Sequence, residues 1–181
     1  DLDNHQCLDL NKSFFHKAKF KKPFVKAKIA MSSDHKSVFT SKQRKWITGI
    51  PARNDVQKIR AEADIILTGA GTINCDGPSM NVRAKKIIAN ENFTQPSRYV
   101  FSNELKLNWD APFFKLPGKK VVVTSKKNLP KLPQGLNDIS LMRLKKNGSF
   151  ISSKEFIKKI SKSNINNILI EAGPKLLGSF G

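Results

Sequence analysis

A glycine turn that follows an apolar run is the stretch of this sequence best suited to chemistry. The run at 65–67 stops at Gly69 and Gly71, and Thr72 follows as a possible helix cap. Glycine lets the backbone approach a ligand closely, and the first N–H groups of a helix attract anions. The pattern therefore predicts a site for an anionic ligand.

The same segment also allows a simpler interpretation, an ordinary connection between a strand and a helix. A Gly-x-Gly pair is weak evidence, and the third glycine of the G-x-G-x-x-G dinucleotide fingerprint is absent here. Asp76 and Arg83 follow closely, however, so an acid and a base accompany the turn. This combination favours a binding site.

A second turn of the same kind lies near the end of the sequence. The apolar run at 168–170 leads into Glu171, Gly173 and Pro174. In open α/β sheets, ligands bind outside the carboxyl ends of the strands. Two such ends, at Thr68 and Glu171, predict one shared crevice, although Glu171 could equally be a solvated carboxylate.

The elements that would position these turns are those of an α/β domain. A helix is predicted from Thr48, as its cap, to about Ala63, with Ile50, Val56 and Ile59 facing the core. A second helix is predicted from Ser153, with Glu155 in its first turn, and the segment 85–95 is predicted as a polar connection. Further strands are predicted at 25–31, 98–101, 119–124, 139–144 and 168–170.

Composition indicates a single globular domain with an unusual charge. The 181 residues are 39% hydrophobic and carry a net charge of +19. Lysines are scattered rather than clustered in one patch, so we expect no specific nucleic-acid partner, while anionic ligands would still be steered inward. No apolar run could span a membrane, which predicts a soluble, cytoplasmic protein. Cys7 and Cys75 are expected to be reduced thiols, and no metal site is predicted.

Four segments in collinear order carry a resemblance to a known family. They are KPFVKAKIAMSSD, KWIT, ARNDVQKIRAEADIILTGAGTINCDGPSMNVR and ILIEAGPKLLGSF. Together they resemble the reductase domain of the bacterial bifunctional riboflavin-biosynthesis deaminase/reductase. Residues 1–22 look like the linker that follows the deaminase domain, and 23–181 would be the reductase domain. The H-x-E and P-C-x-x-C zinc signature of the deaminase is absent from this sequence.

The resemblance implies a dihydrofolate-reductase-like α/β fold, with a mostly parallel sheet and flanking helices. It also implies NADPH-dependent reduction of the ribosyl chain of 5-amino-6-(5-phosphoribosylamino)uracil to the ribityl form. Matching cofactor contacts are Ala30, Trp46, Thr72, Asp76, Asn103, Gly173, Pro174, Lys175, Leu176, Leu177, Gly178 and Ser179. Matching substrate contacts are Arg60, Met80, Arg83 and Glu171, and Glu171 is also the candidate catalytic residue.

Residue chemistry agrees with these implied roles. Arg60 and Arg83 can offer guanidinium forks to a phosphate, and we expect Arg44 to join them. Gly173 precedes a helix start that would suit the pyrophosphate of the cofactor. Glu171 could orient the substrate or manage a proton.

Several positions depart from the family pattern. His35 replaces a glycine, Arg44 replaces a small hydroxyl residue, and DGPSMN replaces the usual Asp-Asp/Asn-Pro-x-Leu-Thr. The family continues beyond Gly181 with a strand and a hairpin that contribute to a homodimer contact, so the domain is expected to be C-terminally incomplete. Two alternatives stay open: another dihydrofolate-reductase-like NADPH oxidoreductase, or a decayed, non-enzymatic basic domain.

Overall fold

A parallel sheet forms the centre of the protein, whose computed structural model describes residues 4–31, 47–129, 131–136 and 138–180. The strands of this sheet are β1 (Phe24–Ala27), β2 (Ile65–Gly69), β3 (Ser97–Phe101), β4 (Lys120–Thr124), β5 (Ile139–Arg143) and β8 (Asn167–Ile170). Within the described part their order is β1-β8-β2-β3-β4-β5, and every neighbouring pair is parallel. A small antiparallel hairpin, β6 (Lys146–Asn147) and β7 (Phe150–Ile151), follows β5.

Helices precede the sheet and connect its strands. They are α1 (Asn4–Leu10), α2 (Lys12–Phe20), α3 (Ile50–Ala61), α4 (Ala70–Asp76), α5 (Lys85–Ile88), α6 (Pro112–Lys115), α7 (Ser153–Ile160) and α8 (Pro174–Leu177). None of the helices in the described residues is long and apolar enough to cross a membrane. Cys7 and Cys75 are exposed, and no disulfide joins them, as predicted.

Alternating side chains of the strands build one apolar layer on each face of the sheet. In β2, Ile65 and Leu67 lie in the first layer, whereas Ile66 lies in the second. Phe156 of α7 packs in the first layer, and Ile73 of α4 packs in the second. Because both faces are covered, the inner strands β2 and β8 are almost continuous apolar runs, as is usual for a parallel sheet.

Most predicted elements are confirmed, and the differences have local causes. Gly49, not Thr48, is the N-cap of α3, and Ile50 is 65% exposed rather than in the core. Thr72 lies inside α4, whose N-cap is Gly69, so it does not cap that helix. The helix predicted from Ser153 is confirmed, with Ser152 as its cap, accepting a hydrogen bond from the Glu155 amide at 3.2 Å.

Several short elements differ from those predicted. The segment 85–95 contains the single helical turn α5, and the β6–β7 hairpin has no counterpart in the predicted strands. The first strand ends at Ala27, earlier than its apolar alternation suggested. The segment predicted as a linker contains α1 and α2, and the ammonium of Lys17 in α2 donates to the Ser163 carbonyl at 2.6 Å.

Candidate functional site

The two glycine turns lie side by side at the carboxyl edge of the sheet. β8 pairs directly with β2, with Leu67 opposite Ile170. The Glu171 amide donates to the Leu67 carbonyl at 2.9 Å, and the Thr68 hydroxyl donates to the Glu171 carbonyl at 2.8 Å. These bonds fix the backbone of Glu171 at the end of its strand. The two predicted strand ends are therefore neighbours.

Glu171 and Arg60 form a buried ion pair at this edge. Arg60 Nε donates to Glu171 Oε1 at 2.6 Å, and Arg60 Nη2 donates to Glu171 Oε2 at 3.0 Å. Both residues are only 8% exposed. The interpretation of Glu171 as a solvated carboxylate is therefore wrong. The two opposite charges offset each other, and the two parallel hydrogen bonds fix the orientation of both side chains.

Arg60 also contacts the loop Ser79–Arg83, hereafter the 79–83 loop. Its Nη1 donates to the Asn81 carbonyl at 3.1 Å. Met80 of this loop has a left-handed backbone, with φ of +50°, and its side chain is buried in the second apolar layer. Arg83 is exposed, and its Nη1 donates to the Ser79 hydroxyl at 2.7 Å. The contact of Arg60 with Asn81 thus joins the loop that carries Met80 and Arg83 to the ion pair.

This geometry changes the phosphate clamp expected from Arg60 and Arg83. The two N–H groups of Arg60 that would form a fork already meet the carboxylate of Glu171. A phosphate held in the same way would have to replace that carboxylate. Arg83, by contrast, has an exposed side chain that donates to the neutral hydroxyl of Ser79, so its guanidinium is not paired with a carboxylate of the described residues.

Besides the ion pair and the 79–83 loop, the site includes the segment from Gly173 to Ser179. Gly173 is the N-cap of α8, with φ of −69° and ψ of 171°, a backbone that any residue can adopt. A Cβ atom at Gly173 would meet no described atom within 4 Å. None of the described residues therefore fills the space directly beside this glycine.

The helix behind Gly173 is a weaker anion site than its sequence suggests. It has four residues, and its first, Pro174, has no N–H. The amides of Leu176 and Leu177 bond to the Gly173 carbonyl at 3.2 and 3.3 Å. The side chains of these two leucines pack against the first apolar layer, so only their backbone could face a ligand.

The far end of this segment is fastened to α7. The Ser179 carbonyl accepts a hydrogen bond from the Ser153 hydroxyl, and the Gly178 amide donates to the Pro174 carbonyl at 2.8 Å. Lys175 is exposed at the start of the segment. The segment is thus closed on itself and tied down at one end.

Asn103 follows β3 at the same edge of the sheet. Its Nδ2 donates to the Ser149 carbonyl of the β6–β7 hairpin at 2.8 Å, and its own carbonyl accepts from the Thr124 hydroxyl at 3.1 Å. Its Oδ1 is buried and has no hydrogen-bond partner among the described residues. A buried acceptor without a donor is costly, so this oxygen suits a donor from a ligand.

The remaining predicted residues are less closely joined to these. Thr72 is half-buried in α4, Asp76 is exposed at the end of that helix, and Ala30 is half-buried beyond β1. Trp46 and Arg44 lie outside the described residues, as does His35. No group of three or more His, Cys, Asp or Glu side chains in the described ranges could hold a metal ion.

Gln57 and Gln95 contact the site but were not predicted. The Arg83 amide donates to Gln57 Oε1 at 2.7 Å, and the side-chain amide of Gln95 exchanges hydrogen bonds with the backbone of Val82. Gln57 lies one helical turn before Arg60 on α3. That spacing is the one signal in the sequence that could have linked it to the site.

Two buried cations, Arg98 and Lys120, lie on neighbouring strands at the opposite ends from Glu171. Each is 2% exposed. Arg98 donates to four carbonyls at 2.6 to 3.1 Å, including that of Ser79, and Lys120 donates to two. Burial lowers the pKa of Arg98, and burial followed by the charge of Arg98 lowers the pKa of Lys120.

Comparison with known proteins gives one family and a consistent set of relatives. The family model described as the RibD C-terminal domain matches residues 23–181. The riboflavin biosynthesis protein RibD of Haemophilus influenzae is 31% identical over 186 residues, covering 99% of this chain and 49% of that protein. A 5-amino-6-(5-phosphoribosylamino)uracil reductase of Buchnera aphidicola from Acyrthosiphon pisum is 33% identical over 141 residues, covering 74% of this chain and 67% of that protein.

Solved structures give the same result. RibD of Acinetobacter baumannii, form 1, superimposes with a TM-score of 0.77 and 30% identity, over 96% of this chain and 46% of that one. The deaminase/reductase of Thermotoga maritima gives a TM-score of 0.79 at 22% identity, over 97% of this chain and 46% of that one, which supports the fold alone. The predicted dihydrofolate-reductase-like α/β fold is confirmed. The chain spans about half the length of most of these relatives.

Proposed function

Because the chain belongs to the RibD C-terminal domain family, we propose that it reduces the ribosyl chain of 5-amino-6-(5-phosphoribosylamino)uracil to the ribityl form, with NADPH as cofactor. One observation carries the proposal. The family model spans both glycine turns, which lie at the strand ends beside the buried Glu171–Arg60 pair, and a relative named for this reductase activity is 33% identical over 141 residues. A nicotinamide cofactor supplies the hydride when bound.

The residues of the open edge fit such a cofactor. A Cβ at Gly173 would meet none of the described residues within 4 Å, and the Oδ1 of Asn103, which has no partner among them, could accept a donor from the cofactor. We assign binding of the cofactor to Gly173, Asn103, the backbone of 174–179, and Ala30, Trp46, Thr72 and Asp76. The surplus of lysine and arginine behind the net charge of +19 favours NADPH over NADH, because NADPH carries the additional phosphate.

Substrate binding is divided between a charged group and a neutral pair. The exposed guanidinium of Arg83 is our candidate for the phosphate, joined by Arg44 and flanked by Met80. The Arg60–Glu171 pair carries little net charge, so we assign it to the polar groups of the sugar and the pyrimidine rather than to the phosphate alone.

Glu171 is the residue that we assign to the reacting end of the substrate. Reduction adds a hydride at C1′ of the ribosyl group and a proton at its ring oxygen, which becomes a hydroxyl. The carboxylate of Glu171 is held by two hydrogen bonds from Arg60 and retains further lone pairs. It can therefore orient a sugar hydroxyl with little loss of conformational entropy.

The test is oxidation of NADPH by the purified chain with the phosphoribosylamino-pyrimidine, compared with dihydrofolate and with NADH. We expect turnover with the pyrimidine and NADPH. Turnover with dihydrofolate instead would favour another reductase of the same fold. Absence of turnover together with salt-sensitive binding to duplex DNA would favour a non-enzymatic basic domain.

A further inference from the structure

The 79–83 loop contains a backbone conformation that is unfavourable for a residue other than glycine. Met80 has φ of +50°, a region that residues other than glycine occupy rarely. Such a conformation persists only where the surrounding structure determines it, and it is often found at functional sites. The side chain of Met80 is 3% exposed and anchors the loop from below.

The side chain of Gln95 binds both backbone polar groups of Val82, as a neighbouring strand would. The Val82 amide donates to Gln95 Oε1 at 3.0 Å, and Gln95 Nε2 donates to the Val82 carbonyl at 2.8 Å. Both backbone groups of Val82 are therefore satisfied by one side chain. Val82 itself is 1% exposed, so its amide and carbonyl would lose much if Gln95 were removed.

Other side chains hold the two ends of the loop. Gln57, 8% exposed, accepts from the Arg83 amide at 2.7 Å. Arg98 donates to the Ser79 carbonyl at 3.1 Å. Together with the bond from Arg60 to the Asn81 carbonyl, these contacts fix the loop from α3, from β3 and from the segment before β3.

From these contacts we infer that Gln57 and Gln95 are positioning residues for the substrate's phosphate, an inference that rests on the proposed function. Neither glutamine needs to touch substrate. Each fixes the backbone that carries Arg83, so the guanidinium is presented at a constant place relative to the Arg60–Glu171 pair. Loss of either bond would let Arg83 move, and the substrate would then have to order the loop when it binds.

The test is steady-state kinetics of Gln57→Ala and Gln95→Ala, with Gln134→Ala as the control, because Gln134 is an exposed glutamine in another loop. We expect KM for the pyrimidine to rise about five- to tenfold in each of the first two variants, as loss of a hydrogen bond to buried backbone implies. KM for NADPH should stay within about twofold of the wild-type value. Gln95→Glu keeps the acceptor for the Val82 amide and should give an intermediate KM. Equal rises in both constants, or no rise for the pyrimidine, would overturn the inference.

Amide hydrogen exchange tests the same bonds without turnover. Gln95→Ala should accelerate exchange most at the Val82 amide, and Gln57→Ala should accelerate it most at the Arg83 amide, because each variant loses the acceptor of that N–H. If the wild-type protein reduces no pyrimidine, the proposed function fails, while unchanged exchange at both amides would refute the positioning role. If Gln95→Ala does not fold, Gln95→Glu and Gln57→Ala decide the result.

Discussion

Arg60 donates two hydrogen bonds to the carboxylate of Glu171, at 2.6 and 3.0 Å, although 111 residues separate the two in the sequence. The pair joins α3 to the end of β8, and so connects a helix to the second strand of the sheet. Because both groups are almost fully buried, water cannot solvate the charge that remains when one partner is removed.

Removing one member of this pair should destabilise the protein strongly. Glu171→Ala is expected to lower the free energy of unfolding by about 3 kcal/mol, because it leaves Arg60 buried without its counter-charge. The double variant Arg60→Leu with Glu171→Ala should lose less than the sum of the single changes. Urea unfolding measures each value.

The exposed pair of Lys26 and Glu62, whose side chains are 38% and 60% exposed and lie 3.2 Å apart, is the matched control. Glu62→Ala should cost less than about 1 kcal/mol. Additive losses at Arg60 and Glu171 would contradict the coupling that the geometry implies.

Arg83→Ala should weaken substrate binding by roughly ten- to a hundredfold, since a charge-assisted contact to phosphate is lost. KM for NADPH should not change. Lys85→Ala removes a nearby exposed cation and serves as the control. An unchanged KM for the pyrimidine in Arg83→Ala would refute the phosphate assignment. Arg44→Ser, measured beside it, distinguishes a binding role from an obstruction, because relief of an obstruction would raise activity.

Gly173→Val should abolish cofactor binding and leave the melting temperature almost unchanged. The added side chain would enter space that no described atom occupies, and the backbone of Gly173 suits any residue. Gly49 is the matched control, as an N-cap with φ of −71° that also precedes a proline in the first turn. Gly49→Ala should bind cofactor normally. Normal NADPH binding by Gly173→Val, measured by calorimetry, would show that this turn does not face the cofactor.

Lys120 should make stability increase with pH. Burial, and then the charge of Arg98, lowers its pKa below the ordinary value of 10.5, with Asp138 opposing. The unfolded chain therefore binds this proton more tightly than the folded protein. The penalty is fully present below the folded pKa and is relieved as the pH rises from there to 10.5.

The measurement is urea unfolding of the wild type and Lys120→Met between about pH 8 and pH 10. The wild type should gain stability relative to the variant as the pH rises. Burial raises the pKa of Tyr99, which acts in the opposite sense at high pH, but both proteins carry it and the difference cancels it. Parallel profiles would exclude Lys120 as the cause.

The strands were predictable from the sequence because their apolar runs are buried on both faces. The partnership of Arg60 with Glu171 was not, because the inward face of α3 mixes polar and apolar residues. Ile59 packs against the second apolar layer as predicted, but Gln57 and Arg60 are the buried residues of this helix and Ile50 is exposed. A pattern rule that places only apolar residues inward misses the two polar ones. The prediction of Thr72 as a helix cap was wrong because α4 begins earlier, with the extended residue Gly69 as its N-cap.

The position of β8 in the sheet also constrains how the chain can fold. Among the described strands, β1 and β2 each pair with β8, and Phe24 has Asn167 as its register partner. During synthesis, β1 therefore has no strand to pair with until residues from the far end of the described chain leave the ribosome. Pairings between such distant segments form slowly. Until β8 has been synthesised, the first half of the chain stays only partly assembled. We expect chaperones to bind the chain most during this interval.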